Sequence, residues 1–176
     1  IKVRSSYHQE RLWFIDNFEL NKLYSNVASY HYIPLILRCD FHLNYDLVRR
    51  AVNQLVRDHE ILRTEITEED GGIYQIIDES EPYFDFEVLE GDNEKDVVAY
   101  LLEVNENLYA DGLKAPFLKV YIIKVSENEY DILFSLHHLV CDSYSKKLIR
   151  DQFIKNYKIL ETGQNPELNI GLQYAD

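Results

Sequence analysis

The 176-residue sequence contains no methionine and only two cysteines, Cys39 and Cys141. Two thiols are too few to build a disulfide scaffold, and they are also too few for a cysteine-rich zinc site. We therefore predict that both cysteines are buried, reduced thiols of a cytoplasmic protein. Because the sequence starts at Ile1 without an initiator methionine, we also expect it to be a segment cut from a longer chain.

Long hydrophobic runs and basic residues are scarce as well. No apolar stretch approaches the ~20 residues of a membrane-spanning helix, and none follows the first basic residues as it does in a secretion signal. Lysine and arginine number 18 against 31 aspartates and glutamates, which gives a formal net charge of −13. Phosphate groups repel such a surface, so we predict no nucleic-acid partner, and we predict no membrane association.

Apolar residues make up 46% of the sequence and charged residues 28%, a composition typical of one globular unit. Hydrophobic periodicity predicts four helices and six strands. The helices are expected at Tyr7–Phe18, Asn44–His59, Val97–Leu108 and Ser143–Leu160, and the strands at Tyr30–Phe41, Leu62–Thr67, Ile73–Asp78, Phe84–Leu89, Phe117–Val125 and Tyr130–Leu136. Their order predicts an α/β fold, an α+β two-layer sandwich in which helices cover a mixed sheet.

Local signals mark several boundaries of these elements. Asn44 is suited to cap the N-terminus of the second helix, and Gly163 is a natural end for the last one. Pro34 has no backbone N–H, so its strand must lie at a sheet edge or carry a bulge. The sequence Asp-Gly-Gly at 70–72 predicts a turn between two short strands.

The densest cluster of reactive side chains lies where the last strand meets the last helix, at His137, His138 and Asp142. Successive strand residues face opposite sides of a sheet, so only one of the two histidines is expected to act. His138 has the parity of the more apolar face and is expected to look into an enclosed apolar region, whereas His137 packs or bonds to the backbone. The residues alone leave a purely structural cluster open, with Asp142 as a helix cap. Adjacent histidines diverge and a spaced third ligand is missing, so no metal site is predicted.

Three segments form an ordered pattern: SYHQERLWF at 6–14, RDHEILRT at 57–64 and HHLVCD at 137–142. They resemble three successive motifs of the condensation domains of nonribosomal peptide synthetases, the last of which is HHxxxDG. In the second segment, Asp58 is interpreted as an inserted spacer. The glycine of the last motif is Ser143 here, which either obstructs a close backbone approach or serves as a helix N-cap. One such motif alone is weak evidence, whereas three in order are strong evidence.

The resemblance covers the whole chain but only half of the family's domain. It implies the N-terminal lobe of a two-lobed fold similar to chloramphenicol acetyltransferase. Residues 1–163 are expected to form this lobe, and residues 164–176 to form a linker toward a C-terminal lobe. Because the family's substrate tunnel lies between its two lobes, the lobe alone is expected to be inactive.

The resemblance also implies a reaction. Donor and acceptor carrier proteins present acyl or aminoacyl thioesters on phosphopantetheine arms, and the acceptor amine attacks the donor thioester to form an amide. His138 is expected to accept or orient the amine proton beside His137. Asp142 is expected to be a buried anion that pairs with an arginine, either Arg63 or one in the other lobe. No directly bound cofactor is expected, and the expected partners are the carrier proteins, the C-terminal lobe and adjacent synthetase domains.

Two alternatives stay open. The first is another enzyme of the same superfamily, such as an epimerisation domain or a free acyltransferase, although this version of the first motif favours condensation. The second is a degenerate domain that docks partner proteins without catalysis, for which Ser143 is the one supporting feature. The sequence identifies neither the substrates nor their chirality, and it does not identify the product.

Overall fold

The computed structural model describes residues 1–22, 32–80, 84–90, 117–169 and 171–174. Its elements are α1 (Tyr7–Lys22), α2 (Tyr45–Asp58), α3 (Ser143–Glu161), a 3₁₀ turn (Glu60–Arg63), β1 (Lys2–Arg4), β2 (Tyr32–Cys39), β3 (Thr64–Glu69), β4 (Gly72–Ile77), β5 (Asp85–Glu90), β6 (Leu118–Lys124) and β7 (Tyr130–His137). The predicted helix at Val97–Leu108 lies outside the described residues. In the part of the chain that is described, no helix has the length and apolar character needed to cross a bilayer.

The larger sheet has the strand order β2-β7-β6-β5. β7 pairs antiparallel with β2 and β6, whereas β5 runs parallel to β6, so the sheet is mixed as predicted. All eight residues of β7 are buried, which fixes the strand that leads into the histidine cluster. Pro34 lies opposite Ser135 in β2, the edge strand of this described sheet, where its missing N–H removes no hydrogen bond from the interior.

The smaller sheet has the order β1-β4-β3, and all of its pairings are antiparallel. The predicted turn between β3 and β4 is confirmed: Asp70 and Gly71 both adopt positive φ, at 52° and 75°, the conformation of tight hairpin turns. β1 was not predicted. This three-residue strand pairs with β4 at the edge of the sheet and leads directly into α1. The Ser5 N–H donates to the Ile73 carbonyl at 3.0 Å, and this bond holds the start of α1 against the sheet.

Helices α2 and α3 pack against each other and cover the larger sheet. The Asn44 side chain accepts hydrogen bonds from the N–H groups of Asp46 and Leu47 at 3.0 and 3.2 Å, so the predicted N-cap is confirmed. The apolar face of α2 is fully buried at Val48, Ala51, Val52, Leu55 and Val56. On α3, Ile149, Phe153, Tyr157 and Leu160 are buried, whereas Leu148 is 49% exposed and lies outside the inward face.

The most deeply buried residues of α1 are polar. Gln9 and Asp16 are 0% and 1% exposed, and Leu12 and Trp13 between them pack against the core. These positions recur at helical spacing, so the inward stripe runs through 9, 12, 13 and 16. Ile15 lies beside this stripe and is only partly buried, so apolar periodicity alone does not reveal the inward face of α1.

Candidate active site

The last strand of the larger sheet leads directly into the predicted histidine cluster. β7 ends at His137 and α3 begins at Ser143, so residues 137–142 form a tight connection, called here the histidine turn. The His137 N–H donates to the Phe117 carbonyl at 3.0 Å, and the Val140 N–H donates to the His137 carbonyl at 3.0 Å. Backbone bonds thus tie the turn to the sheet before any side chain contributes.

His137 occupies a packed position. Its side chain is fully buried, and its ring centroid lies 5.2 Å from that of Phe117. Nδ1 accepts a hydrogen bond from the Leu139 N–H at 3.1 Å, while Nε2 lies 3.5 Å from the carboxylate of Asp16, which is also fully buried. His137 therefore packs and bonds to the backbone, the position that strand parity predicted for it.

His138 lies on the other side of the turn and lines a cleft of about 340 Å³. The strand ends one residue earlier, so the turn rather than strand parity sets its direction. The ring is partly buried. His8, His59 and Asp142 line the same cleft, which is open to solvent. The predicted enclosed apolar region is not found among the described residues of this lobe, where the surroundings of His138 are open and mixed in polarity.

Asp142 caps α3. Its Oδ1 accepts hydrogen bonds from the Ser145 hydroxyl at 2.7 Å and from the Ser145 N–H at 2.8 Å, and these bonds lower the pKa of the carboxyl from its usual value. The side chain is exposed rather than buried, because the unpaired N–H groups of a helix start lie at the protein surface. Ser143 is the first helical residue, so the N-cap role proposed for it belongs to Asp142.

The predicted pairing of Asp142 with Arg63 is not found. The Arg63 guanidinium lies 3.3 Å from the carboxylate of Glu60, three residues earlier, and also donates to the Asp78 carbonyl. These contacts hold the 3₁₀ turn against the end of β4. Arg63 therefore supports the fold beside the cleft, and within this lobe Asp142 is stabilised by its helix instead.

Asp58, interpreted from the sequence as a spacer, is a buried structural centre. It is the last residue of α2 and 2% exposed. Its carboxylate accepts hydrogen bonds from the side chains of Gln54 at 2.9 Å and Gln152 at 2.6 Å, and from the Asn169 N–H at 3.0 Å. One side chain thus joins α2, α3 and the segment that follows α3.

His59 gives the cleft another imidazole, and hydrogen bonds through Gln152 to Asp58 determine its tautomer. The Gln152 amide donates its N–H to Asp58, so its oxygen must face His59, whose Nε2 lies 2.7 Å away. An amide oxygen can only accept, so Nε2 of His59 carries a proton. His59 also caps the C-terminus of α2, so it has a structural position as well as a place in the cleft lining.

The segment after α3 packs back onto the lobe. Gln173 donates to the Asp58 carbonyl at 3.1 Å and accepts from the Glu60 N–H at 3.0 Å, while the hydroxyl of Tyr174 lies 2.9 Å from that of Ser6. Residues 172–174 consequently form one wall of the cleft. The predicted linker therefore contributes to the site, which its polar composition did not indicate.

A model of the condensation domain family matches residues 2–176 of the chain. A linear gramicidin synthase of Brevibacillus parabrevis is 29% identical over 183 residues, which cover 99% of this chain and 2% of that protein. Cyclosporin synthetase of Tolypocladium inflatum is 28% identical over 178 residues, which cover 99% of this chain and 1% of that protein. The chain therefore spans about 2% or less of the length of these relatives.

Solved structures resemble the chain more closely in fold than in sequence. The starter condensation domain of rhizomide synthetase gives a TM-score of 0.82 at 18% identity, over 98% of this chain and 43% of that one. The X-domain from teicoplanin biosynthesis gives a TM-score of 0.81 at 22% identity, over 99% of this chain and 36% of that one. That X-domain has also been solved in complex with OxyB. The predicted fold, a lobe with a mixed sheet covered by helices, is confirmed.

Proposed function

Since the chain belongs to the condensation domain family, we propose that it is the N-terminal lobe of a domain that joins two thioester-bound substrates through an amide bond in a nonribosomal peptide synthetase. The observation that carries this proposal is the difference in burial between the two adjacent histidines. His137 is locked in the interior, whereas His138 lines a cleft large enough to admit a substrate chain. The pair thus offers one imidazole to an incoming amine.

The proposed chemistry asks little of the protein beyond positioning and proton transfer. A thioester is already activated, so no covalent nucleophile is needed, and holding both substrates in one cleft supplies part of the acceleration. The attacking amine has a pKa of about 8 in water, so much of it is protonated and inert near neutral pH. A neutral imidazole that accepts or orients the amine proton typically raises the rate about 10²- to 10⁴-fold.

The surroundings of the His138 ring indicate which nitrogen meets the substrate. Nδ1 is buried and, within the described residues, has no hydrogen-bond partner. Of the two ring nitrogens, this leaves Nε2 as the candidate to meet a substrate. We assign the acceptor of the amine proton to Nε2 of His138.

The proposed substrates arrive on phosphopantetheine arms of donor and acceptor carrier proteins, so the arm is a substrate carrier rather than a resident cofactor. Leu172 and Tyr174 line the cleft and are 93% and 53% exposed, which leaves an apolar rim of the kind that interfaces cover. We propose that the C-terminal lobe covers this rim and completes the site. The isolated lobe is then inactive, with residues 1–163 as its body and residues 164–176 leading toward the second lobe.

Amide formation from two loaded carrier proteins tests the proposal in the complete two-lobed domain. His138→Ala is expected to lower the rate of product formation about 10²- to 10⁴-fold, the typical contribution of a general base. His42→Ala is the matched control, because His42 is exposed and contacts Tyr130 at the opposite end of β7. Mass spectrometry of the acceptor carrier measures both. Unchanged turnover in His138→Ala contradicts the assignment.

A docking domain without catalysis is the competing proposal. It rested on Ser143 in place of the family's glycine, yet Ser143 does not line the cleft and its side chain is exposed on α3. This position favours condensation, since the serine side chain leaves the space beside His138 open. A complete domain that binds loaded carriers but forms no amide would instead support docking.

A further inference from the structure

Helix α1 presents two buried polar side chains to the histidine turn. Asp16 lies with one carboxylate oxygen 3.5 Å from Nε2 of His137, and both side chains are fully buried. Two helical turns earlier on the same stripe, Gln9 donates its amide to the Leu139 carbonyl at 3.4 Å and to Gln75 at 3.2 Å. The first and third sequence motifs, 130 positions apart at Gln9 and Leu139, therefore meet through polar contacts in the interior.

The two ring nitrogens of His137 have opposite hydrogen-bonding roles: Nδ1 accepts and Nε2 carries the proton. A backbone N–H can only donate, so the bond from Leu139 makes Nδ1 an acceptor. The proton of the ring consequently sits on Nε2, the atom that faces the Asp16 carboxylate. The His137 ring is thus held on one side by the hydrogen bond from the Leu139 N–H and on the other by an ionic contact of 3.5 Å with Asp16, and these contacts connect α1 to the turn. Leu139 directly follows His138, so these contacts end at the residue next to the proposed base.

Stability alone does not explain a carboxylate and an imidazole in this position. Desolvating a buried polar pair costs free energy, and well-packed apolar residues of similar volume are often as stable or more so. What an apolar pair lacks is direction: it cannot hold the His137 ring at the angle that Nδ1 needs to accept from Leu139. The pair is therefore suited to orienting the turn.

We propose that Asp16 is a positioning residue of the site: through Nε2 of His137 it fixes the ring that holds the Leu139 backbone, and so it fixes the direction of His138. This role rests on the proposed condensation function for its effect on rate. Its effect on the turn is independent of that function. Asp16 touches no substrate and is not itself catalytic.

Amide exchange tests the hold on the turn without any turnover. In the 176-residue chain, the Leu139 N–H and the Nε2 proton of His137 are expected to exchange slowly with water, as measured by NMR on 15N-labelled protein. Asp16→Leu keeps the branching of the side chain but removes the oxygens that face Nε2, and it is expected to speed Leu139 exchange at least about tenfold. Asp16→Asn keeps an oxygen that is able to accept from Nε2 and is expected to preserve slow exchange.

Turnover of the complete two-lobed domain tests the consequence for His138. Asp16→Leu is expected to lower kcat about tenfold to a hundredfold with little change in KM, since a small misplacement of a reacting group costs rate rather than binding. Asp16→Asn is expected to recover most of the loss. Asp151→Ala is the matched control, because Asp151 is an exposed aspartate that pairs with Arg150 on α3.

The possible results separate this proposal from the proposed function. Wild-type kcat and wild-type Leu139 exchange in Asp16→Leu overturn the positioning role. Loss of kcat in Asp16→Asn as large as in Asp16→Leu also overturns it, because the charge rather than the direction would then matter. A complete domain that forms no amide with the native sequence overturns the condensation function, while the exchange data still decide whether Asp16 holds the turn.

Discussion

The histidine turn has a packed side and an open side, and the two are built by different means. On the packed side, His137 is fully buried and contacts Asp16 from α1 and the ring of Phe117 next to β6. On the open side, His138 is partly buried at the cleft, and Asp142 is held by the N-terminus of its own helix. Distant segments hold the first side, and local bonds shape the second.

This difference explains why two adjacent histidines need not share a task. A residue held by contacts from several elements is well placed to fix the backbone, but it has no access to a substrate. A residue on the open side has access, yet it depends on its neighbour for a defined direction. Under the proposed function, the motif combines a buried residue that holds the backbone with a neighbour that can reach a substrate.

The two sides should differ most in their effect on stability. His137→Ala removes one partner of a buried pair and the acceptor of the Leu139 N–H, so it is expected to lower the free energy of unfolding by about 3 kcal/mol. His138→Ala, the matched control, is expected to change it by less than about 1 kcal/mol, because its ring is partly exposed and its buried Nδ1 has no hydrogen bond to lose among the described residues. Urea unfolding of the chain followed by circular dichroism measures both. Equal losses would show that the turn has no separate packed side.

Cys141 locates the boundary between the two sides. The residue borders the cleft, yet burial, assisted by the nearby Asp142 carboxylate, raises the pKa of its thiol to about 12. At mildly alkaline pH the raised pKa lowers the thiolate fraction of Cys141 about a thousandfold below that of the unfolded chain. A more basic thiolate is also more nucleophilic, which recovers part of the reaction rate. We expect iodoacetamide to alkylate Cys141 at least about thirtyfold more slowly in the folded chain than in urea, measured by mass spectrometry of peptides. Similar rates would place the thiol on the open side.

Much of the fold could be predicted because its elements carry their own local signals. α2 combines an N-cap at Asn44 with a continuous apolar face, and the β3–β4 turn has residues that accept positive φ at Asp70 and Gly71. β1 escaped prediction because three residues at a sheet edge show no usable periodicity. The end of α1 was placed four residues early, at Phe18 rather than Lys22. Helix ends without a strong stop signal are poorly defined by sequence.

The site could be predicted only in part, because its contacts join segments that are far apart in sequence. The motif located His137 and His138, but the burial of Asp16 depends on how α1 packs, which periodicity of apolar residues does not reveal. Arg63 was paired with the wrong carboxylate for the same reason. Asp58 did carry a signal: it lies three residues after Leu55, on the buried face of α2, and its interpretation as a spacer overlooked this.

Among these predictions, substitution of Asp142 on the open side has the smallest expected effect on the free energy of unfolding, because its bonds lie within the first turn of α3. Asp142→Ala removes the N-cap of α3 and is expected to lower the free energy of unfolding by about 1 kcal/mol at neutral pH. Asp142→Asn is the matched control, since asparagine caps helices nearly as well without a charge. Urea unfolding at several pH values measures all three proteins. A loss of about 3 kcal/mol or more, as large as that expected for His137→Ala, would mean that Asp142 also belongs to the packed side.

The pH dependence of this difference has a definite sign. The bonds from Ser145 lower the pKa of the Asp142 carboxyl in the folded chain below its usual value of 3.8. A depressed folded pKa contributes stability that is fully present above the unfolded pKa and is lost as pH falls through the folded one. The advantage of the native sequence over Asp142→Ala is therefore expected to stay constant from neutral pH to about pH 5 and to shrink below about pH 4. An advantage that persists unchanged at lower pH would show that the charge of Asp142 adds nothing to its bonds with Ser145.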